Sequence, residues 1–208
     1  TKYPISGTVL RADLIANSEF VSLNVLGSFI PRVAILGGES SGKSTLTRDL
    51  SQVTSLPMVE EYGRELFEEL GGNLRYEDME IIAKTQIGME RVAGLRYLET
   101  NYKALQNAFI FCDTTPLTTS FYSTVMFDRV SRLLSDLKHR EYQYYILCAN
   151  DIQFDQDGTR RDEEFRKKGY IFYKKWLEDN NLPYLEVSGN REDRVNQVLD
   201  WIKYESNN

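Results

Sequence analysis

The chain has 208 residues, enough to bury one substantial hydrophobic core, and we expect one α/β domain with a short appendage. Its 25 basic and 31 acidic residues give a net charge of −6, which argues against a general nucleic-acid or membrane-surface binder. It contains neither an apolar run long enough to cross a bilayer nor a secretory signal pattern. We therefore expect a cytoplasmic protein whose partners are small molecules.

Residues 32–44 combine a short apolar run with a glycine-rich loop and read RVAILGGESSGKS. The run predicts a buried strand over 33–36, and the G-x-x-x-x-G-K-S pattern is typical of a phosphate-binding loop, whose backbone N–H groups face nucleotide phosphates. Lys43 adds a charge at the β- and γ-phosphates, and the hydroxyl of Ser44 suits Mg²⁺. A helix predicted over 45–52 directs its positive dipole end at the same anion.

The rest of the chain alternates predicted strands and helices. Further strands are expected at 57–61, 108–112, 144–148 and 184–187, and further helices at 63–70, 76–105, 117–137, 163–180 and 191–204. This alternation predicts an α/β fold, with a parallel five-stranded sheet and helices on both faces. Ligands of such sheets bind at the carboxyl ends of the strands. We therefore expect one crevice lined by 37–44, 60–64, 113–115, 150–161 and 188–194.

Asp113 directly follows the apolar strand predicted at 108–112. In that position a carboxylate can hold a nucleotide-bound Mg²⁺ or accept a proton from the substrate. The alternative is that Asp113 caps the helix that follows Pro116. The sequence leaves both interpretations open.

Residues 60–65 read Glu-Glu-Tyr-Gly-Arg-Glu and lie at a predicted strand end. Carboxylates accept hydrogen bonds from hydroxyl groups, and an arginine can bind a transferred phosphate. This mixture favours a polar, nucleoside-like acceptor. The alternative is the charged first turn of an ordinary surface helix.

Residues 157–161 read Asp-Gly-Thr-Arg-Arg and precede a long predicted helix. In phosphoryl transfer, arginines on a mobile lid neutralise charge on the γ-phosphate, and closure of the lid excludes water. A loop of solvated charges is the alternative. Together with the phosphate-binding loop, this segment favours a kinase over a bare ATPase.

Four segments, in this order, resemble the ribosylnicotinamide kinase domain of the NadR family. They are GGESSGKS at 37–44, EYGRE at 61–65, Asp113 with Thr114, and DGTR at 157–160. The resemblance implies a P-loop, nucleoside-kinase-like fold. It also implies transfer of the γ-phosphate of ATP to the 5′-hydroxyl of nicotinamide riboside, which gives nicotinamide mononucleotide for NAD salvage.

The resemblance further implies a role for each matching residue. Lys43, Asp113 and Arg160 form the catalytic set, with Arg160 as the lid arginine, and Ser44 and Asp113 bind Mg²⁺. Either Asp113 or Glu61 is the base, and the sequence does not choose between them. The residues implied to bind ATP are Gly38, Glu39, Ser40, Ser41, Gly42, Lys43, Ser44 and Thr45. Those implied to face the riboside are Glu61, Tyr62 and Arg64, with Gln86 as a further candidate for which packing at the core edge is the alternative.

Residues 1–31 precede the kinase-like region, which we place at 32–208. Residues 5–11, ISGTVLR, resemble the Ser-x-Thr-x-x-Arg motif near the end of the nucleotidyltransferase domain that precedes the kinase in NadR proteins. We expect the leader to be a remnant of such a domain. The transferase motif His-x-Gly-His needs two histidines and the chain has only His139, so we expect no adenylyltransferase activity.

Two other functions are compatible with these motifs. One is another kinase of the same fold, acting on deoxynucleosides or on thymidylate. The other is a nucleotide sensor that binds ATP or a pyridine nucleotide without turnover. The sequence indicates no oligomeric state.

Overall fold

A computed structural model of the chain describes residues 17–101, 108–154 and 162–206. Its strands are β1 (Arg32–Gly37), β2 (Met58–Val59), β3 (Ile110–Asp113), β4 (Tyr144–Cys148) and β5 (Tyr184–Val187). Its helices are α1 (Leu23–Phe29), α2 (Lys43–Thr54), α3 (Tyr62–Glu69), α4 (Tyr76–Asn101), α5 (Pro116–Phe127), α6 (Arg132–Leu137), α7 (Glu163–Asp179) and α8 (Arg191–Ser206), with a 3₁₀ turn at Ser18–Phe20.

The five strands form one parallel sheet in the order β2-β3-β1-β4-β5. β1 lies at the centre, and all six of its residues are buried. Its register places Ile35 beside Asp113 and Gly37 beside Cys148. The predicted five-stranded parallel sheet is confirmed. The end of β1, where the glycine-rich loop begins, therefore lies between the ends of β3 and β4.

Each face of the sheet carries its own hydrophobic core. Ala34 and Leu36 of β1 point into one core, which α1, α4, α5 and α7 complete. Val33 and Ile35 point into the other, which α2 and α8 complete. This alternation follows from the two-residue period of a strand. In the described ranges, no helix is both long enough and apolar enough to span a bilayer.

One expectation about a helix differs from the structure. The single helix expected over 117–137 is divided, because Asp128 adopts a left-handed backbone conformation with φ of 51° that ends α5. The Ser131 side chain then accepts a hydrogen bond of 3.2 Å from the Leu134 N–H and caps α6. The second half of the expected helix is thus a separate short helix.

Part of the predicted leader packs into the domain. Leu26 of α1 and Ile30, directly after α1, have no exposed surface and belong to the core that also contains Ala34 and Leu36 of β1. The boundary expected at residue 31 therefore does not separate α1 from the domain. The motif at 5–11, on which the idea of a transferase remnant rests, lies outside the described residues, so that idea stays a prediction.

Candidate active site

The phosphate-binding loop joins β1 to α2 at the carboxyl edge of the sheet. Gly42 has φ of 86° and stands directly before the first residue of α2, a conformation that glycine adopts without strain. Gly38 meets a different requirement: a Cβ atom there would lie 2.3 Å from the carbonyl oxygen of Arg166 in α7. The loop glycines therefore serve both chain reversal and close packing against α7.

Arg194 of α8 supports this loop by hydrogen bonding to its backbone. Its guanidinium donates a hydrogen bond of 2.7 Å to the carbonyl oxygen of buried Ser41 and one of 3.0 Å to that of Gly189. It also pairs with the carboxylate of Asp151, which follows β4. Described residues from three of the segments expected to line one crevice, 37–44, 150–161 and 188–194, are therefore in contact with one another. Here they support the loop rather than line a cavity.

Asp113, at the end of β3, is almost fully buried, and its Oδ1 atom has no hydrogen-bond partner in the described structure. Burial raises the pKa of its carboxyl, while Lys43 and a hydrogen bond with Ser44 act in the opposite direction. Asp113 does not cap the next helix, because Thr115 does so by accepting a 3.2 Å hydrogen bond from Leu117 N–H. The helix-cap interpretation of Asp113 is therefore wrong.

The pair of Ser44 and Asp113 has the chemistry of a divalent cation site. A hydroxyl and a carboxylate oxygen are hard ligands of the kind that such cations bind. An unpartnered, buried carboxylate oxygen is costly unless a ligand satisfies it. The residues present therefore fit a divalent cation held together with nucleotide phosphates.

Glu61 stands directly before α3 and has a strongly shifted acidity. Burial, together with repulsion by Asp113, raises the pKa of its carboxyl from 4.5 to about 7, against the opposing effect of Lys43 and Arg64. The Arg64 Nε atom lies 3.9 Å from Glu61 Oε2. Close to neutral pH, this carboxyl is therefore balanced between its protonated and ionised forms, as a proton acceptor in catalysis requires.

Two cavities meet at Glu61 and Arg64. The first, which we call the acceptor cavity, has a volume of about 340 Å³. It is lined by Glu39, Glu61, Gly63, Arg64, Phe67, Gly72, Leu74, Met79, Ile82, Thr114, Thr118, Thr119, Tyr122 and Met126. The second, which we call the phosphate-side cavity, has about 440 Å³ and is lined by Ser44, Arg48, Met58, Glu60, Glu61, Arg64, Glu65, Glu68, Glu69 and Asp113. Residues of the predicted crevice thus line two adjoining spaces.

Lys43 lines neither of these two cavities; it lines a third, small cavity together with Gly38, Glu39 and Glu61. Its ammonium group donates a hydrogen bond of 2.8 Å to the carbonyl oxygen of Gly38. Thr114 has φ of 72°, a strained backbone conformation for a β-branched residue, and it lines the acceptor cavity directly after Asp113. Backbone strain at Thr114 and the buried carboxylate of Asp113 therefore occur side by side at this strand end, as is typical of functional sites.

The structure gives Gln86 and Tyr62 contacts other than those expected for substrate ligands. The Gln86 side-chain amide donates to the carbonyl oxygens of Glu60 and Asp113 at 3.1 and 3.4 Å and accepts from the Tyr62 N–H at 3.0 Å. It therefore ties the ends of β2 and β3 together. Tyr62 lines neither of the two large cavities, and its ring packs against a hydrophobic cluster that includes Met79. Riboside binding by these two side chains stays a prediction without geometric support.

Several residues of α5 line the acceptor cavity and were missed by the sequence interpretation. Thr118, Thr119 and Tyr122 share one face of this helix, at spacings of one, three and four. The Glu39 side chain, expected at ATP, also lines this cavity and accepts a 2.8 Å hydrogen bond from the Tyr122 hydroxyl. The polar stripe on an otherwise apolar helix was the signal that could have identified α5.

Arg160 and the other residues of the expected lid, 157–161, lie outside the described residues. Their role stays a prediction.

The chain is similar to the trifunctional NAD biosynthesis/regulator protein NadR of Escherichia coli, with 31% identity over 207 residues, 96% of this chain and 48% of that protein. It thus spans about half the length of the curated relatives it matches. The expected resemblance to NadR proteins is confirmed over this length.

Two solved structures share the fold. One is a NadR protein in complex with NR, with a TM-score of 0.73 and 18% identity, covering 95% of this chain and 56% of that one. The other is deoxyadenosine kinase from M. mycoides with the products dCMP and dCDP, with a TM-score of 0.50 and 17% identity, covering 83% of this chain and 99% of that one. The nucleoside-kinase-like fold is therefore confirmed.

A family model described as an AAA domain matches residues 32–194, the segment from the first residue of β1 to Arg194 of α8. This match includes the phosphate-binding loop and the strand ends around it. Because it covers well over half of the sequence, the chain belongs to the AAA domain family.

Proposed function

We propose that the chain is an ATP-dependent nicotinamide riboside kinase, which forms nicotinamide mononucleotide for NAD salvage. One observation carries the proposal: Glu61 and Arg64 line both the acceptor cavity and the phosphate-side cavity. A molecule in one cavity is therefore beside a molecule in the other, as direct transfer of a phosphoryl group requires. The similarity to a protein named for NAD biosynthesis, and the fold shared with a NadR protein in complex with NR, support a pyridine riboside as the acceptor.

On the donor side, residues 38–45 bind ATP through the backbone N–H groups of the loop and the start of α2. Lys43 moves from the Gly38 carbonyl to the β- and γ-phosphates. The oxygens of Ser44 and Asp113 would hold a divalent cation, which we propose is Mg²⁺. When bound, this ion neutralises phosphate charge.

On the acceptor side, we propose Glu61 rather than Asp113 as the group that accepts the proton of the 5′-hydroxyl. Glu61 lines the acceptor cavity, whereas Asp113 lines only the phosphate-side cavity next to Ser44. The ionised form of Glu61 performs this role, so turnover should increase as the pH rises through about 7. Arg64 stabilises the phosphoryl group between the cavities, and Arg160 is proposed as the lid arginine.

Product identification tests this proposal. The purified chain is incubated with Mg-ATP and, separately, with nicotinamide riboside, deoxyadenosine and thymidine, and the products are identified by mass spectrometry. We expect nicotinamide mononucleotide and ADP in equal amounts, and none when EDTA removes the metal. A clear preference for a deoxynucleoside would instead indicate the deoxynucleoside kinase alternative. Binding of ATP without any phosphorylated product would indicate a sensor.

A further inference from the structure

Glu39 is the third residue of the phosphate-binding loop, yet its side chain faces the acceptor. The Tyr122 hydroxyl of α5 donates a hydrogen bond of 2.8 Å to Glu39 Oε1. Both side chains line the acceptor cavity, and both also line a small cavity shared with Gly38 and Lys43. Because the loop binds phosphate through its backbone N–H groups, the Glu39 carboxylate remains available to a molecule in the acceptor cavity.

The charges of the acceptor cavity favour a cation. Two carboxylates, Glu39 and Glu61, belong to its lining, and Arg64 is the only cationic side chain among the described residues that line it. The Arg64 side chain is 42% exposed and lies at 3.9 Å from Glu61, so solvent screens its charge and Glu61 opposes it. With both carboxylates ionised, the lining is net negative.

The remaining walls strengthen this preference. They are apolar on the side of α3 and α4, where the side chains of Phe67, Leu74, Met79 and Ile82 lie, and Met126 of α5 adds to them. Such walls keep the local dielectric constant low, so a carboxylate acts more strongly on a ligand charge than it would in water. A nicotinamide ring bonded to ribose through its ring nitrogen carries a fixed positive charge.

We propose that Glu39 is a specificity residue of the acceptor site, whose carboxylate, held by the Tyr122 hydroxyl, selects ribosides with a fixed positive charge on the base. This inference rests on the proposed kinase function. Reduction of the ring to the 1,4-dihydro form gives a neutral riboside with the same heavy atoms. The two ribosides therefore differ mainly in the charge that Glu39 would recognise.

The test compares kcat/KM for nicotinamide riboside and for its neutral dihydro form. We expect wild-type protein to prefer the cation and Glu39→Gln to lower that preference about tenfold, with the loss confined to the cationic riboside. The KM for ATP should change less than about twofold, because the loop binds phosphate through its backbone. Glu77→Gln removes an exposed carboxylate outside both cavity linings and should leave the preference unchanged.

Each outcome separates this inference from the kinase proposal. An unchanged preference in folded Glu39→Gln protein overturns the role of Glu39 and leaves the kinase proposal intact. If wild-type protein binds ATP but phosphorylates neither riboside, both fail. Should Glu39→Gln not fold, Tyr122→Phe provides the same test, because it removes the hydroxyl that orients Glu39; a preference that stays at the wild-type value in this variant also overturns the inference.

Discussion

Glu90 of α4 and Asp113 of β3 are both nearly excluded from solvent, but they lie at opposite ends of the sheet and have opposite surroundings. Glu90 lies at the amino end, where Arg32 begins β1. Its carboxylate is 3.1 Å from Arg32 Nε and 2.9 Å from Arg140 Nη2, and it accepts a 2.7 Å hydrogen bond from the Tyr142 hydroxyl. Both of its oxygens therefore have donors.

The carboxyl end of the sheet is arranged differently. Asp113 Oδ1 has no hydrogen-bond partner among the described residues, and the charge of Asp113 helps to raise the pKa of the Glu61 carboxyl, because like charges in a buried site oppose ionisation. Such an arrangement costs folding free energy, which a bound cation and ligand can recover. The comparison indicates that the paired charges at the amino end of the sheet stabilise the fold, whereas the carboxylates at the carboxyl end are available to bind a cation and substrates.

Replacement of Lys43 by alanine should have the largest effect on activity with little effect on the fold. Removal of this charge is expected to lower kcat about 10³-fold, because transition-state charge on the phosphates loses its cation. Steady-state kinetics on the riboside and chemical denaturation measure the two quantities. Lys174→Ala, which removes a partly exposed lysine paired with Glu186, is the matched control and should retain full turnover. Undiminished turnover in Lys43→Ala would contradict the assigned site.

Glu90→Gln should lower the stability of the fold and have little effect on activity, the reverse of Lys43→Ala. It leaves Arg32 and Arg140 without their counter-ion in a buried place, so we expect the free energy of unfolding to fall by about 3 kcal/mol. Turnover per folded molecule should stay near the wild-type value. Glu186→Gln, at an exposed ion pair, should cost less than about 1 kcal/mol. A large loss of kcat in folded Glu90→Gln protein would show that the two ends of the sheet are not separate in function.

The residues of the carboxyl end could be predicted because parallel strands end at one edge. Once 108–112 is identified as a strand, Asp113 must lie at the same edge of the sheet as the end of β1, and the same reasoning places Glu61 and Arg64 at that edge. No side-chain contact had to be known. The strands themselves follow from short apolar runs that polar residues or glycine interrupt.

The remaining features depend on tertiary structure. The contact between Glu39 and Tyr122 joins residues that are 83 positions apart, and it depends on how α5 lies against the loop. The break at Asp128 requires a left-handed conformation in a residue other than glycine, which no local pattern indicates. Gln86 shares a helix face with core residues, but its bonds to two strand ends could be known only from the packed sheet.

The pH dependence of stability is the smallest expected effect and tests the carboxyl end most directly. A carboxyl with a higher pKa in the folded than in the unfolded state holds its proton more firmly when folded. The unfolding free energy should therefore decrease as the pH rises from 4.5 through about 7, where Glu61 ionises in the folded protein. Glu61→Gln removes this penalty, so the variant should be more stable than wild type by about 2 kcal/mol at pH 8 and equal to it near pH 4.5.

Chemical denaturation of wild type and variant at pH 4.5, 6, 7 and 8 measures this difference. Glu65→Gln removes an exposed carboxylate from α3, the helix that Glu61 directly precedes, and should leave the shape of the pH profile unchanged. If Glu61→Gln instead loses stability at pH 8, the Glu61 carboxylate must gain more from Arg64 and Lys43 than it loses by burial and by repulsion from Asp113. In that case the carboxyl end would satisfy its buried charge as the amino end does, and an unsatisfied carboxylate could no longer be taken as the mark of the catalytic edge.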